Sequence, residues 1–273
     1  MKNNRNQKKH RFSFVPLAVL QIGILFVGLS VFAQDEREFT TDFRIEECTF
    51  SSVGRNPFFI LEPGYQLTLE GESDEGPVVV QITVLDETKK VDNIVTRVVK
   101  EMEWEDGELI EVSQNYFAIC NETNSVFYFG EDVDIYDEGE IVSHDGAWLA
   151  GEDGAEAGIV MPGTILLGSR YYQEIAPGVA MDRAEIMVMD ATVETLAGTF
   201  SNCLETLETT PLEPSAEDSK FYAPGIGLIV DAELSLAEIP INPPGADLNR
   251  DGLVDERDLL LFRNNWHRGN EAD

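Results

Sequence analysis

Asp247, Asn249, Asp251, Asp255 and Asp258 fall at the first, third, fifth, ninth and twelfth places of the stretch DLNRDGLVDERD, with Gly252 at the sixth. That spacing suits a hard cation. Calcium takes roughly six to eight oxygens around a loop that must turn sharply halfway. Here Asp247, Asn249 and Asp251 offer side-chain oxygens, Gly252 permits the turn and Leu253 offers its backbone carbonyl. Asp255 coordinates directly or through water, and Asp258 closes the loop. The closing position is usually a bidentate Glu. Asp258 is one methylene shorter, so the loop must close more tightly to reach the ion. An acidic turn ahead of a helix is the plain alternative, but the pattern tolerates few other readings.

Other chemistry is harder to place. The chain has three histidines, and only His144 lies between the basic N-terminus and the calcium loop. No GxSxG elbow accompanies it, no zinc-type Cys or His spacing exists, and its neighbours Asp145 and Gly146 read as a hairpin turn. Paired carboxylates are a subtler option, because two at about 5–10 Å can hydrolyse glycosides. Glu131, Asp132, Asp134, Asp137 and Glu138 form one dense run, read as a solvated acidic turn, with a second calcium site or catalysis as the alternatives. Glu174, Asp182 and Glu185 surround the Pro177-Gly178 turn. With 51 acidic residues, chance proximity weakens both signals. The segment Gly151-Glu152-Asp153-Gly154 is no phosphate cradle, since its charges oppose a phosphate and no GK[ST] follows. Trp104, Trp148, Tyr171 and Tyr172 read as core and cross-strand residues before they read as a sugar or lipid site.

The elements that must position these residues differ along the chain. After the loop, Leu259, Phe262 and Trp266 recur at helical spacing and predict a helix over 255–267. Asp255 and Glu256 favour its first turn. On the entering side, Pro240, Pro243, Pro244 and Gly245 exclude an ordinary helix, so 240–245 is a linker. The calcium loop with one exiting helix resembles a single repeat of a dockerin, a module of secreted bacterial proteins that docks onto cohesin domains. The resemblance covers about residues 246–267. It implies an EF-hand-type site with Asp247, Asn249, Asp251, Asp255 and Asp258 as ligands and a docking face on the helix. Dockerins have two repeats and this chain has one. The helix is therefore expected to meet either a cohesin-like protein or the chain's own main domain.

Residues 1–33 read as a secretory signal. Lys2, Arg5, Lys8, Lys9 and Arg11 precede an apolar run over 12–32, and Val31-Phe32-Ala33 offers a cleavage point; an uncleaved anchor is the alternative. Removing them takes five of the 19 basic residues and no acidic one. That leaves 14 against 51, a formal charge of −37. Such a field excludes nucleic acid and anionic surfaces as partners and attracts divalent cations. The expected location is secreted, periplasmic or cell-surface, with no membrane span after cleavage. Cys48, Cys120 and Cys203 are an odd number, so at most one internal disulfide forms, or all three are small buried side chains.

Residues 34–239 are read as one domain, mainly β. Alternation or β-branched runs predict strands over 65–70, 78–85, 94–104, 109–114, 116–119, 126–129, 140–143, 148–149, 169–175, 184–193, 198–209, 220–222 and 227–236. Asp106-Gly107 is a tight-turn signal, and 121–124 is a second hairpin. Parallel strands would need crossover helices that the pattern lacks, so a curved antiparallel sheet or open barrel is expected. Only the flanks of 177–184 have room for a helical turn. YFGEDVD at 128–134, HDGAW at 144–148, YYQE at 171–174 with Ala176-Pro177-Gly178, and YAPGIGLI at 222–229 resemble an uncharacterised family of exported bacterial proteins over about 60–235. That resemblance implies a β-rich exported domain and supplies no catalytic residues.

The function expected from these features is a secreted, calcium-binding β-protein with a non-catalytic binding or assembly role. The alternatives are a polysaccharide-directed hydrolase using paired carboxylates and a carrier of an apolar ligand on the concave face of the sheet. Carbohydrate is thus a candidate partner. Asp247→Ala and Asp258→Ala should each weaken calcium binding strongly, because each leaves too few oxygens unless water substitutes. Titration calorimetry on the full chain and on the 240–273 segment checks this, and unchanged affinity in Asp247→Ala would sink the loop assignment.

Overall fold

Alternating side chains and short turns build nearly every element of the computed structural model, which describes residues 38–73, 75–238, 259, 260 and 263. The expected leader, the linker and the calcium ligands Asp247, Asn249, Asp251, Leu253, Asp255 and Asp258 lie outside the described residues. Leu259, Leu260 and Arg263 are helical and exposed.

A single 3-10 turn, Ile45–Glu47, precedes β1 (Phe50–Ser51), β2 (Gly54–Asn56) and β3 (Phe59–Leu61). A first meander follows: β4 (Gln66–Glu72), β5 (Pro77–Val91), β6 (Ile94–Glu105), β7 (Glu108–Cys120) and β8 (Val126–Asp137). Short strands come next, β9 (Glu140–Ser143), β10 (Trp148–Leu149), β11 (Glu156–Met161), β12 (Arg170–Tyr172) and β13 (Glu174–Ile175). A second meander contains β14 (Arg183–Thr195), β15 (Gly198–Thr210), β16 (Glu213–Ala223), β17 (Gly227–Asp231) and β18 (Leu234–Leu236).

The large sheet runs β12-β14-β15-β16-β17-β18-β4-β5-β6-β7-β8-β11-β13. Its strands pair antiparallel, and β18 joins the two meanders by pairing Ser235 with Glu70. The end strands β12 and β13 are separated in the chain by Gln173 alone, so the sheet curls until its edges meet. The expected curved sheet or open barrel is therefore a nearly closed barrel. Gly158 on β11 marks the seam: a Cβ there would lie 2.5 Å from the Gln173 carbonyl and 2.6 Å from the Tyr172 oxygen.

Strand β7 explains how the core divides. Phe117 and Ile119 join one apolar cluster, which also holds Leu69, Val84 and Leu236. Tyr116, Ala118 and Cys120 point the other way into a second cluster with Phe127, Phe129 and Trp148. A strand buried on both faces reads as a continuous apolar run, which is why 116–119 looked separate from 109–114. The N-terminal segment covers the second cluster, with Phe43 and Phe50 edge-on to Phe127 at 6.1 and 5.3 Å. The Cys48–Cys120 disulfide ties that segment to β7, and Cys203 is a buried thiol. The β2–β3 hairpin sends Ile60 and Leu61 into the first cluster. Asn56 anchors it by donating to the carbonyls of Asn124 and Pro162, each at 2.9 Å.

Several expectations need correction. The run 131–138 is not an acidic turn: β8 carries it through Asp137, and only Glu138-Gly139 turns. Strand β5 continues past Leu85 to an Asp92-Asn93 turn with both φ positive, the geometry of a tight hairpin. The expected strand over 227–236 breaks at Ala232, φ 49°. The 177–184 flanks form a turn closed by an Ala176–Ala180 bridge rather than a helix. Gly158→Ala should destabilise the barrel by about 1–3 kcal/mol, because the clash is with backbone and cannot relax by rotamer change. The check is a lower urea midpoint at unchanged slope.

Candidate functional site

The inward faces of several strands change from apolar to ionisable partway along. On β6, Val99 is followed two residues on by Glu101. On β15, buried Leu204 and Thr206 are followed by Glu208. On β16, Lys220 precedes Tyr222. Period-two alternation sends each set to one side of the sheet, and curling turns that side into an enclosure of about 1180 Å³. Leu67, Leu69, Val80, Ile82, Val84 and Leu228 line its apolar part. Glu101, Glu131, Glu174, Asp182, Glu208 and Lys220 line its charged part. Exposed Glu72, Glu75, Glu217 and Glu233 also border the space, so it reaches the surface past an acidic rim.

Neighbouring groups order the charged part. Gln173 Nε2 donates to Glu208 Oε1 at 2.7 Å. Lys220 Nζ lies 3.3 Å from Glu208 Oε2 and 3.2 Å from Asp231 Oδ2. Tyr128 donates its hydroxyl to Asn115 Oδ1 at 2.6 Å, and its ring stacks on Phe117 at 4.7 Å. Glu174 and Asp182 face one another, only 2% and 3% exposed. Glu174 Oε2, Asp182 Oδ2 and Gln173 Oε1 accept from no N–H or hydroxyl donor among the described residues, and the proton held between the two carboxyls is what joins Glu174 to Asp182. Leaving a buried acceptor unsatisfied costs about 1–3 kcal/mol, and the proton between the two carboxyls offsets part of that cost.

Burial controls the protonation of this cluster. It pushes Glu101 up to about 7, with Asp231 adding and Lys220 opposing. Burial, then the charges of Glu101, Glu111, Glu105 and Asp231, take Glu103 to about 9. Burial, then Glu111 and Glu101, take Glu131 to about 8. Burial and the facing Asp182 hold Glu174 well above the carboxylate range, and burial raises Asp182 as well. For Lys220 burial works against the charge, but Asp231 and Glu208 outweigh it and keep the ammonium protonated.

The carboxylates singled out in the sequence have different fates. Glu131, Glu174 and Asp182 meet in the cavity, whereas Glu185 is held by Arg170 at 2.6 and 2.8 Å. Asp132 points to the opposite face from Glu131 and accepts from Lys89 at 2.8 Å and Tyr116 at 2.5 Å. Burial opposes its charge, but those two hydrogen bonds hold its carboxyl below the usual range. Asp134 pairs with exposed His144 at 2.9 Å, and His144 Nδ1 also lies 2.8 Å from the Val133 carbonyl. The four aromatics Trp104, Trp148, Tyr171 and Tyr172 are outside the cavity lining, with Trp148 and Tyr171 buried. Glu101, Glu208 and Lys220 were missed. Their signal was a charged residue standing two places from a core residue on the same strand face. Comparison with models of protein families, with curated proteins and with solved structures finds no match.

Protonation gives a signed pH dependence. An unfolded glutamate titrates near 4.5, whereas Glu101, Glu131 and Glu103 in the fold hold protons to about 7, 8 and 9. Between those limits the folded state binds more protons than the unfolded, so stability falls as pH rises. The lowered pKa of Asp132 acts oppositely, but only at acidic pH near and below its ordinary 3.8. The melting temperature should therefore drop steadily from pH 5 to pH 9, and Glu103→Gln should flatten the upper half of that slope. Thermal melts at constant ionic strength check both.

Proposed function

We propose that this chain is an exported, non-catalytic binding protein whose barrel carries a ligand with an apolar body. The observation behind this reading is the cavity of about 1180 Å³ with a continuous wall of Leu67, Leu69, Val80, Ile82, Val84 and Leu228. Ligand pockets typically enclose about 300–1,000 Å³ with mostly apolar walls and a few placed polar groups. Removing a ligand's apolar surface from water there contributes about 25 cal/mol per Å². The Cys48–Cys120 disulfide supports export, because such bonds persist in oxidising compartments. Calcium binding by 247–258 rests on ligand spacing and supplies an assembly role, toward a cohesin-like protein or the barrel itself. The −37 charge argues against nucleic acid.

A second reading is a hydrolase, favoured by the facing Glu174 and Asp182 carboxyls with raised pKa values. Two carboxyls sharing a buried site can divide acid and base roles. Blocking the apolar part separates the readings. Ile82→Trp should lower the affinity for N-phenyl-1-naphthylamine, followed by fluorescence, by about ten-fold or more, equivalent to about 1.4 kcal/mol. Unchanged binding in that variant overturns the carrier reading. Turnover of a polysaccharide that Glu174→Gln abolishes would establish the hydrolase.

A further inference from the structure

We infer that the ligand of this cavity carries a protonated amine at one end, seated against Glu174, Asp182 and Gln173, with its apolar body along the Leu67–Val80–Ile82 wall. The inference rests on the carrier reading and adds the chemistry of the head group. Three observations bear on it.

First, the buried atoms of the cavity lining that lack an N–H or hydroxyl donor are oxygens. Glu174 Oε2, Asp182 Oδ2 and Gln173 Oε1 belong to side chains more than nine-tenths buried, and all three side chains line the cavity. Acceptors are satisfied by donors, and a primary ammonium brings three N–H donors on one positive centre, displacing to solvent the proton that burial otherwise keeps on Glu174. A carboxylate, phosphate or sulfate head would bring more acceptors and like charge. Second, the cluster's cation is already engaged. Lys220 lies within 3.3 Å of both Glu208 and Asp231, and Gln173 Nε2 donates to that same Glu208. Third, the approach is acidic. Glu72, Glu75, Glu217 and Glu233 border the same space from the exposed side. A cleft lined by one sign of charge with low-dielectric walls focuses the field and concentrates counter-ions. Against a bare divalent ion stands the geometry: the buried carboxyls occupy one part of a continuous enclosure that also has an extended aliphatic wall of Leu67, Leu69, Val80, Ile82 and Val84.

The cavity is open to direct titration by calorimetry. Decylammonium, decanoate and decanol share one tail and differ in the head. Binding of decylammonium at least ten-fold tighter than decanol, with decanoate weakest, is the expected order in the wild-type chain. Glu174→Gln with Asp182→Asn should erase the preference for the amine over decanol, and an unchanged far-ultraviolet circular dichroism spectrum reports that the barrel is still folded. Ile82→Trp should weaken all three. Equal or tighter binding of decanoate, or an amine preference that survives the double substitution, overturns the inference while leaving the carrier reading intact. Absence of binding by all three ligands overturns both. Calcium binding lost in the double variant, with no amine preference in the wild type, overturns it in favour of a metal site.

Discussion

Closure of the sheet is the constraint from which the other properties follow. An open sheet would expose its inward face to water, and its carboxylates would ionise as ordinary surface groups. Here β12 and β13 bring the two outer edges together through one residue, Gln173, and the bare backbone of Gly158 allows β11 to approach the seam. Closing the sheet removes exposed edges and puts Glu101, Glu131, Glu174, Asp182 and Glu208 behind a wall of side chains. Gln173 is both part of that seam and a donor to Glu208, so the architecture and the site share an atom-level link.

Enclosing like charges is expensive, and the structure shows how the cost is limited. Protons stay on Glu103, Glu131 and Glu174, which reduces repulsion without removing hydrogen-bonding capacity. Lys220 offsets Glu208 and Asp231 within 3.3 Å. The two apolar clusters and the disulfide stand on the other side of the balance, fixing the sheet and its N-terminal cover around the strained interior. A buried polar group left without a partner calls for a specific physical cause, such as a water, an ion or a shifted proton.

The β character of the domain was legible because alternation and turn chemistry are local. Asp106-Gly107 takes positive φ at both residues, and the hairpin at 121–124 also forms. Strands with atypical composition were less legible. β11 and most of β16 carry Gly, Ala, Pro, Ser or acidic residues, and long-range pairing rather than propensity holds them in the sheet. The acidic run 131–138 looked like one solvated turn because composition ignores direction. Once β8 forms, alternation sends Glu131 inward and Asp132 outward to Lys89 and Tyr116.

The antiparallel class, the tight turns, the acidic field and the spacing of oxygen-bearing residues over 247–258 were legible in the sequence, because each depends on residues close together in the chain. Tertiary structure decided which carboxylates meet. Glu101, Glu131, Glu174, Asp182 and Glu208 come from five different strands or turns, and Glu101 and Glu208 are more than a hundred residues apart. Their proximity and their raised pKa values exist only after the sheet closes, when distant strands exclude water from one shared space.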